Sequence, residues 1–195
     1  RKSKFLRISF YKLLDLFFLR AWYVHRELLN IRSIFGNRKI EILDAGSGYG
    51  QYSYFMVKNI SPCEITAVDV KKEWLNDCSA FFSLKGYSNI SFGQKDLLNL
   101  EYNNKFDLIV CIDVMEHIVE DVKVFENYSK ALKKGGFLLI NTPSIFGGSD
   151  AHDDEDESFI GEHARNGYSY EDLTEKLKPL SLKPFSAKYS YRFWG

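Results

Sequence analysis

The sequence predicts an α/β fold: a doubly wound, mostly parallel sheet with an added N-terminal helix. Three observations carry this reading. Apolar runs of strand length recur after residue 39, and several are followed by a stretch with helical spacing. Acids close or follow those runs at Asp44, Asp69, Asp96 and Asp113. The run FDLIVCI at 106–112 is apolar almost throughout, as expected for a central parallel strand buried on both faces.

In chain order, Leu6, Phe10, Leu13, Leu14, Phe17, Ala21, Val24, Leu28 and Ile31 form an unbroken i, i+3, i+4, i+7 series. The spacing predicts one long basic amphipathic helix that stops near Gly36, so residues 1–38 are read as helix and linker. Ile40, Ile42 and Leu43 then make a strand ending at Asp44. Gly46, Gly48 and Gly50 follow, and Tyr52, Phe55, Met56 and Val57 take up helical spacing. Glycine at alternate positions permits positive φ and close approach of a ligand, and the next helix points unpaired N–H groups into the same space.

A second strand covers 64–70, a helix 71–84 closed by Gly86, and a third strand begins at 89. After the central strand a helix is expected over 114–132, with Lys133, Lys134, Gly135 and Gly136 as its stop, and then a strand at 137–140. Residues 144–168 read as a long acidic loop or lid within the domain 39–195. Ser169 and Asp172 open one more helix, and 182–191 can supply a last strand. In doubly wound sheets ligands bind beyond the carboxyl ends of the strands. Four acids gathered at one such edge suggest a binding site.

The 195 residues suit a single domain, and 45% hydrophobic with 27% charged residues is ordinary for a globular chain. Its 16 Phe, 12 Tyr and 3 Trp exceed what such a domain usually needs, so some are expected to line a pocket. The zero net charge hides an asymmetry: residues 1–40 hold ten basic side chains against Asp15 and Glu27, making this arm +8 and the rest −8. The arm can dock on its own body, or make weak peripheral membrane contact through residues 1–32. Three widely spaced cysteines, Cys63, Cys78 and Cys111, argue for a reducing compartment and against a zinc knuckle. With no membrane span or signal core in view, the expected location is cytoplasmic.

The string Asp44-Ala45-Gly46-Ser47-Gly48-Tyr49-Gly50 resembles the D-x-G-x-G-x-G loop of class I S-adenosylmethionine-dependent methyltransferases, whose fold is Rossmann-like. Asp69, Asp96 and the string D-V-M-E-H-I at 113–118 follow in the family's order. That last string is similar to the small-molecule branch that includes ubiquinone-biosynthesis O-methyltransferases. The resemblance implies S-adenosylmethionine as cofactor, S-adenosylhomocysteine as product and a small-molecule or lipid-linked acceptor methylated at oxygen.

It also implies roles. Ala45, Gly46, Ser47 and Gly48 would run beneath the methionine portion, with Asp44 orienting the loop and Asp113 beside the methionine end. Asp69 would hold the ribose and Asp96, with the Leu97 backbone nearby, the adenine; Val70 is counted with these cofactor-binding residues. His117 is the first candidate base for an acceptor hydroxyl, and His163, in E-H-A-R-N-G-Y-S, the second. Asp44 and Asp113 also suit strand-end turns, and His117 equally suits a structural histidine. The family's sheet ends with two further strands where this chain offers one candidate, so C-terminal strand or strands are expected to be missing.

Rival readings are weaker. For a nicotinamide dehydrogenase, Gln51 stands where the fingerprint needs a third small residue. A catalytically inactive binding or membrane-associated module has little need of an intact Gly46, Gly48 and Asp69. Nucleic acid is disfavoured as partner by the acidic body. The acids at 153–157 with His152 lack defined ligand spacing, so no metal is expected. The acceptor itself and the oligomeric state are not legible.

Overall fold

The computed structural model describes residues 4–145 and 164–189. Five strands, β1 (Ile40–Ala45), β2 (Cys63–Asp69), β3 (Ile90–Gln94), β4 (Phe106–Ile112) and β5 (Leu132–Asn141), form one sheet in the order β3-β2-β1-β4-β5. Every neighbouring pair is parallel. The chain runs outward from β1 to β3 and then returns to place β4 on the other side of β1. The switch point therefore lies between β1 and β4, where the glycine loop leaves β1.

Side-chain alternation builds a core on each face. From β1 and β4, Ile42, Leu108, Val110 and Ile112 point to one face. There they meet α2 (Leu19–Ile34), α3 (Gln51–Asn59) and α4 (Lys72–Leu84) through Leu28, Met56 and Phe82. Leu43, Phe106, Ile109 and Cys111 point to the other, against Val124, Phe125 and Tyr128 of α5 (Asp121–Ala131). All seven residues of β4 are buried, as a central strand requires.

The N-terminal stripe is divided where a single helix is predicted. Helix α1 (Lys4–Phe17) ends before Phe18, whose φ of −101° and ψ of 107° are extended, and α2 begins at Leu19. The break lets the inner faces of α1 and α2 follow different parts of the body: Tyr11 reaches the glycine loop while Val24, Leu28 and Ile31 lie on the sheet layer. Much of the basic arm is absorbed by the body. Arg38 pairs with the buried Asp107 at 2.8 Å, Lys39 with Glu64 at 2.9 Å, and Arg20 with Asp113 at 2.6 Å.

The helix predicted over 114–132 is also shorter. A 3-10 turn at Met115–His117 and an irregular link precede α5, because the link's carbonyls at Ile118 and Val119 accept hydrogen bonds from Arg165 rather than continuing a helix. At its far end α5 stops at Ala131, and β5 starts at once with a register shift opposite Phe106 and Leu108. The predicted stop residues Lys133, Lys134, Gly135 and Gly136 thus belong to a bulged strand. Helix α6 (Tyr170–Leu177) has the expected capping box of Ser169 and Asp172. Residues 182–189 form no strand, contrary to the expectation for 182–191; Leu182 instead packs on the α5 side of the sheet. Most of the acidic loop, including 152–157 and His163, lies outside the described residues.

Candidate functional site

Where β1 ends, the N–H groups of Gly46 and Ser47 both donate to the carbonyl of Val68 at 2.9 Å, so the glycine loop is tied to β2 before it turns. Gly46 has φ 81°, and a Cβ there would stand 2.4 Å from Cγ2 of Val114. Only glycine fits. The Ser47 hydroxyl is buried without a hydrogen-bond partner in the protein, an uncommon state that points to a ligand. Gly48, at φ 51°, donates its N–H to Oδ2 of Asp69 at 2.9 Å, while Lys71 N–H donates to Oδ1 at 2.9 Å. Asp69 is thereby held at the end of β2 with lone pairs to spare on both oxygens, the acceptor pair a vicinal diol needs.

Asp44 lies under the loop, 4% exposed, and accepts from the Ser53 hydroxyl of α3. Burial pushes its carboxyl up to about 6; the Ser53 bond opposes the shift and the charge of Asp69 adds to it. Asp113 follows β4 in a left-handed conformation, φ 53°, that few non-glycine residues adopt. Burial pushes it up to about 6 as well, against the opposing Arg20. Both carboxyls stand at the switch point. There they can balance a positive group, and carboxyls raised toward neutral pH respond readily to one.

The α1 and α2 helices close this edge from outside. Arg7 donates to the Tyr49 and Asp77 carbonyls at 2.9 Å each, and the buried Tyr11 hydroxyl donates to the same Tyr49 carbonyl. Gln51, at the start of α3, donates to Asp15 at 2.8 Å. Arg20 reaches between Asp113 and Tyr52. The ring of Tyr49 lies 4.3 Å from that of Trp74, centre to centre, forming an aromatic wall next to Asp69.

The remaining predicted residues are distributed along the same edge. Ala45 is fully buried at the root of the loop, Val70 is exposed just past Asp69, and Leu97 is buried in the second core. Asp96 caps a 3-10 turn, accepting from Leu98 N–H at 2.9 Å. It thus holds the turn in shape, and its carboxylate keeps further acceptor capacity. His117 is exposed on the 3-10 turn after β4, close enough to act electrostatically on Asp113 and Glu116.

Glu116 was not singled out from the sequence although the D-V-M-E-H-I string contains it. It is 2% exposed, burial raises its carboxyl, and Thr142 at the end of β5 donates to it at 3.2 Å. Its carbonyl accepts the N–H of Ala164 at 2.8 Å, which brings the returning chain against the mouth of the site. Arg165 fixes that return by pairing with buried Asp121 and bonding the Tyr168 hydroxyl at 2.7 Å. Arg20 and Tyr11 were also missed, because nothing local in a helical stripe marks which residue will turn toward a distant loop.

Residues 37–179 match the family described as a methyltransferase domain. A ubiquinone biosynthesis O-methyltransferase of Rickettsia akari is 28% identical over 104 residues, covering 53% of this chain and 40% of that protein. A tRNA U34 carboxymethyltransferase of Campylobacter fetus is 34% identical over 107 residues, covering 53% of this chain and 36% of that protein. The chain thus spans less than half the length of either relative. The solved structure of phosphoethanolamine N-methyltransferase 2 from Haemonchus contortus, determined with S-adenosyl-L-methionine, superposes with a TM-score of 0.65 at 21% identity, covering 80% of this chain and 36% of that one.

Proposed function

Because the chain belongs to the methyltransferase-domain family, we propose that it binds S-adenosylmethionine at the carboxyl edge of β1, β2 and β4 and transfers its methyl group to a small-molecule or lipid-linked acceptor, at oxygen. The observation that carries this reading is the glycine loop itself. Its Gly48 N–H is bonded to Asp69, its Ser47 hydroxyl is buried and unpartnered, and Gly46 is held against Val114 where no side chain fits.

In this reading Asp69 accepts the ribose hydroxyls, and the loop from Ala45 to Gly48 lies along the methionine portion. Val70, Asp96 and Leu97 border the adenine. Asp44 and Asp113 balance the positive end, and Arg20 of α2 holds Asp113 in place. Residues 1–38 then act as the cover of a methyltransferase unit formed by 39–195. S-adenosylmethionine supplies an electrophilic methyl group whose leaving group needs no proton. The protein's own work is alignment, exclusion of water and removal of the acceptor's proton. His117, exposed beside Asp113 and Glu116, is the base we assign to that step, with His163 as the second candidate.

Transfer at oxygen is supported by the O-methyltransferase relatives, one in Proteus mirabilis being 27% identical over 111 residues. Methyl transfer is tested with labelled S-adenosylmethionine offered in parallel with a phenolic acceptor, a primary amine and bulk tRNA. Label in the phenolic ether is the expected result. Label confined to the amine or to the tRNA would contradict the assignment to oxygen of a small acceptor.

A further inference from the structure

Helix α1 has two working faces. The inner one holds the glycine loop through Arg7 and Tyr11, and Asp15 turns in toward Gln51. The outer one carries Leu6, Phe10, Leu13, Leu16 and Phe17, all between 45% and 71% exposed. Past the break at Phe18 the same character continues in Leu19 and Trp22, at 46% and 61%. Of the polar side chains on α1 between residues 5 and 17, only Ser9 and Lys12 are exposed. A surface helix ordinarily turns a polar face to water, and an apolar stretch of this length marks a contact with something else.

The charge around it narrows the occupant. Residues 1–22 hold six basic side chains against one acid, Asp15, whose carboxylate is engaged with Gln51 on the inner side; Arg7 and Arg20 also turn inward, and Lys12 is the exposed cation among the described side chains of α1. A symmetric contact between two copies would lay this basic segment against itself, since such an interface uses the same patch twice. An anionic surface would neutralise it. The face is also convex, a helix exterior rather than a groove, and no helix among the described residues is long and apolar enough to cross a membrane.

We propose that α1 and the first turn of α2 form an interfacial docking element that lies on an anionic lipid surface. Phe10, Leu13, Phe17 and Trp22 enter the boundary between headgroups and acyl chains, and Lys12 faces the headgroups. The inner face keeps its hold on the glycine loop throughout. The proposal stands on this surface and does not depend on which acceptor is methylated.

The test is flotation of the full chain with vesicles of phosphatidylcholine alone and of phosphatidylcholine mixed with phosphatidylglycerol, at low and high salt. The expected result is flotation with the anionic vesicles, weakened by salt and about tenfold or more lower on phosphatidylcholine alone. The double substitution Leu13→Glu and Phe17→Glu is expected to abolish it while leaving the circular dichroism spectrum and thermal midpoint in place, because both side chains are half-exposed or more. Three results would overturn the proposal: no flotation of the unsubstituted chain, flotation untouched by the double substitution, or equal flotation on neutral vesicles. A concentration-dependent dimer dissolved by the same substitutions, with no vesicle binding, would assign the face to a second copy.

Discussion

Arg20 in α2 and Asp113 at the end of β4 are joined by an ion pair of 2.6 Å across 93 positions of sequence. The pair links the N-terminal cover to the switch point of the sheet. Without it Asp113 would be a mostly buried carboxyl in a left-handed backbone conformation, with burial and Glu116 both disfavouring its charge.

Replacing Arg20 with Gln is therefore expected to raise the Asp113 titration midpoint further above about 6, since the guanidinium is the main influence holding it down. A carbon-detected NMR titration of the Asp113 carboxyl reads this directly. An unmoved midpoint would mean that solvent, not Arg20, sets the charge. The thermal cost is expected to stay near 1 kcal/mol, because the arginine side chain is 37% exposed and its partner 26%.

Asp44 makes the free protein sensitive to pH in a defined direction. Its folded value of about 6 lies above the ordinary carboxylate value, so between about pH 4 and about pH 6 the folded state binds more protons than the unfolded one. Its contribution to stability is full below that window and falls as pH rises through it, by about 3 kcal/mol. Denaturant unfolding of the unsubstituted chain and of Asp44→Asn, compared across the window, isolates this group from the carboxyls that Lys or Arg hold down. Parallel curves for the two would contradict the assignment.

Gly46→Ala is expected to destabilise the fold by about 2 kcal/mol or more. The new methyl group meets Val114 at 2.4 Å and the residue must keep φ 81°. Thermal unfolding checks this, and a wild-type midpoint would mean that the loop can shift away from β4. Gly48→Ala is the internal comparison: its Cβ would meet nothing within 4 Å, leaving only the backbone strain of φ 51°.

Tyr11→Phe removes the buried hydroxyl that donates to the Tyr49 carbonyl but leaves Arg7 bonded to the same oxygen. A loss of about 1 kcal/mol in stability is expected. If α1 positions the glycine loop, S-adenosylmethionine affinity falls as well. Lower stability with unchanged affinity would reduce Tyr11 to a packing role.

Much of the sheet and its glycine loop was legible because each depends on local signals. The alternating and continuous apolar runs mark β1, β2 and β4, Gly86 marks the end of α4, and Ser169 with Asp172 marks the start of α6. What was illegible depends on distant partners. The stripe from Leu6 to Ile31 has unbroken helical periodicity, yet the chain turns at Phe18, where the inner side chains on either side pack on different parts of the body. The helix expected from Val114 starts at Asp121 because Arg165, 47 positions beyond Ile118, takes the carbonyls of the preceding link. Glu116 was hidden for a related reason: its hydrogen-bond partners, the Thr142 hydroxyl and the N–H of the returning Ala164, are not adjacent in sequence.

We propose above that the loop from Asp44 to Gly48, together with Asp69, binds an adenosyl sulfonium. Calorimetric titration with S-adenosylmethionine, S-adenosylhomocysteine and NAD, repeated on Asp69→Ala, tests it most directly. The expected outcome is saturable binding of the two adenosyl ligands, weakened by about 1.5 to 3 kcal/mol in the variant, and no binding of NAD. Binding of NAD, or adenosyl affinity untouched by the loss of Asp69, would contradict it.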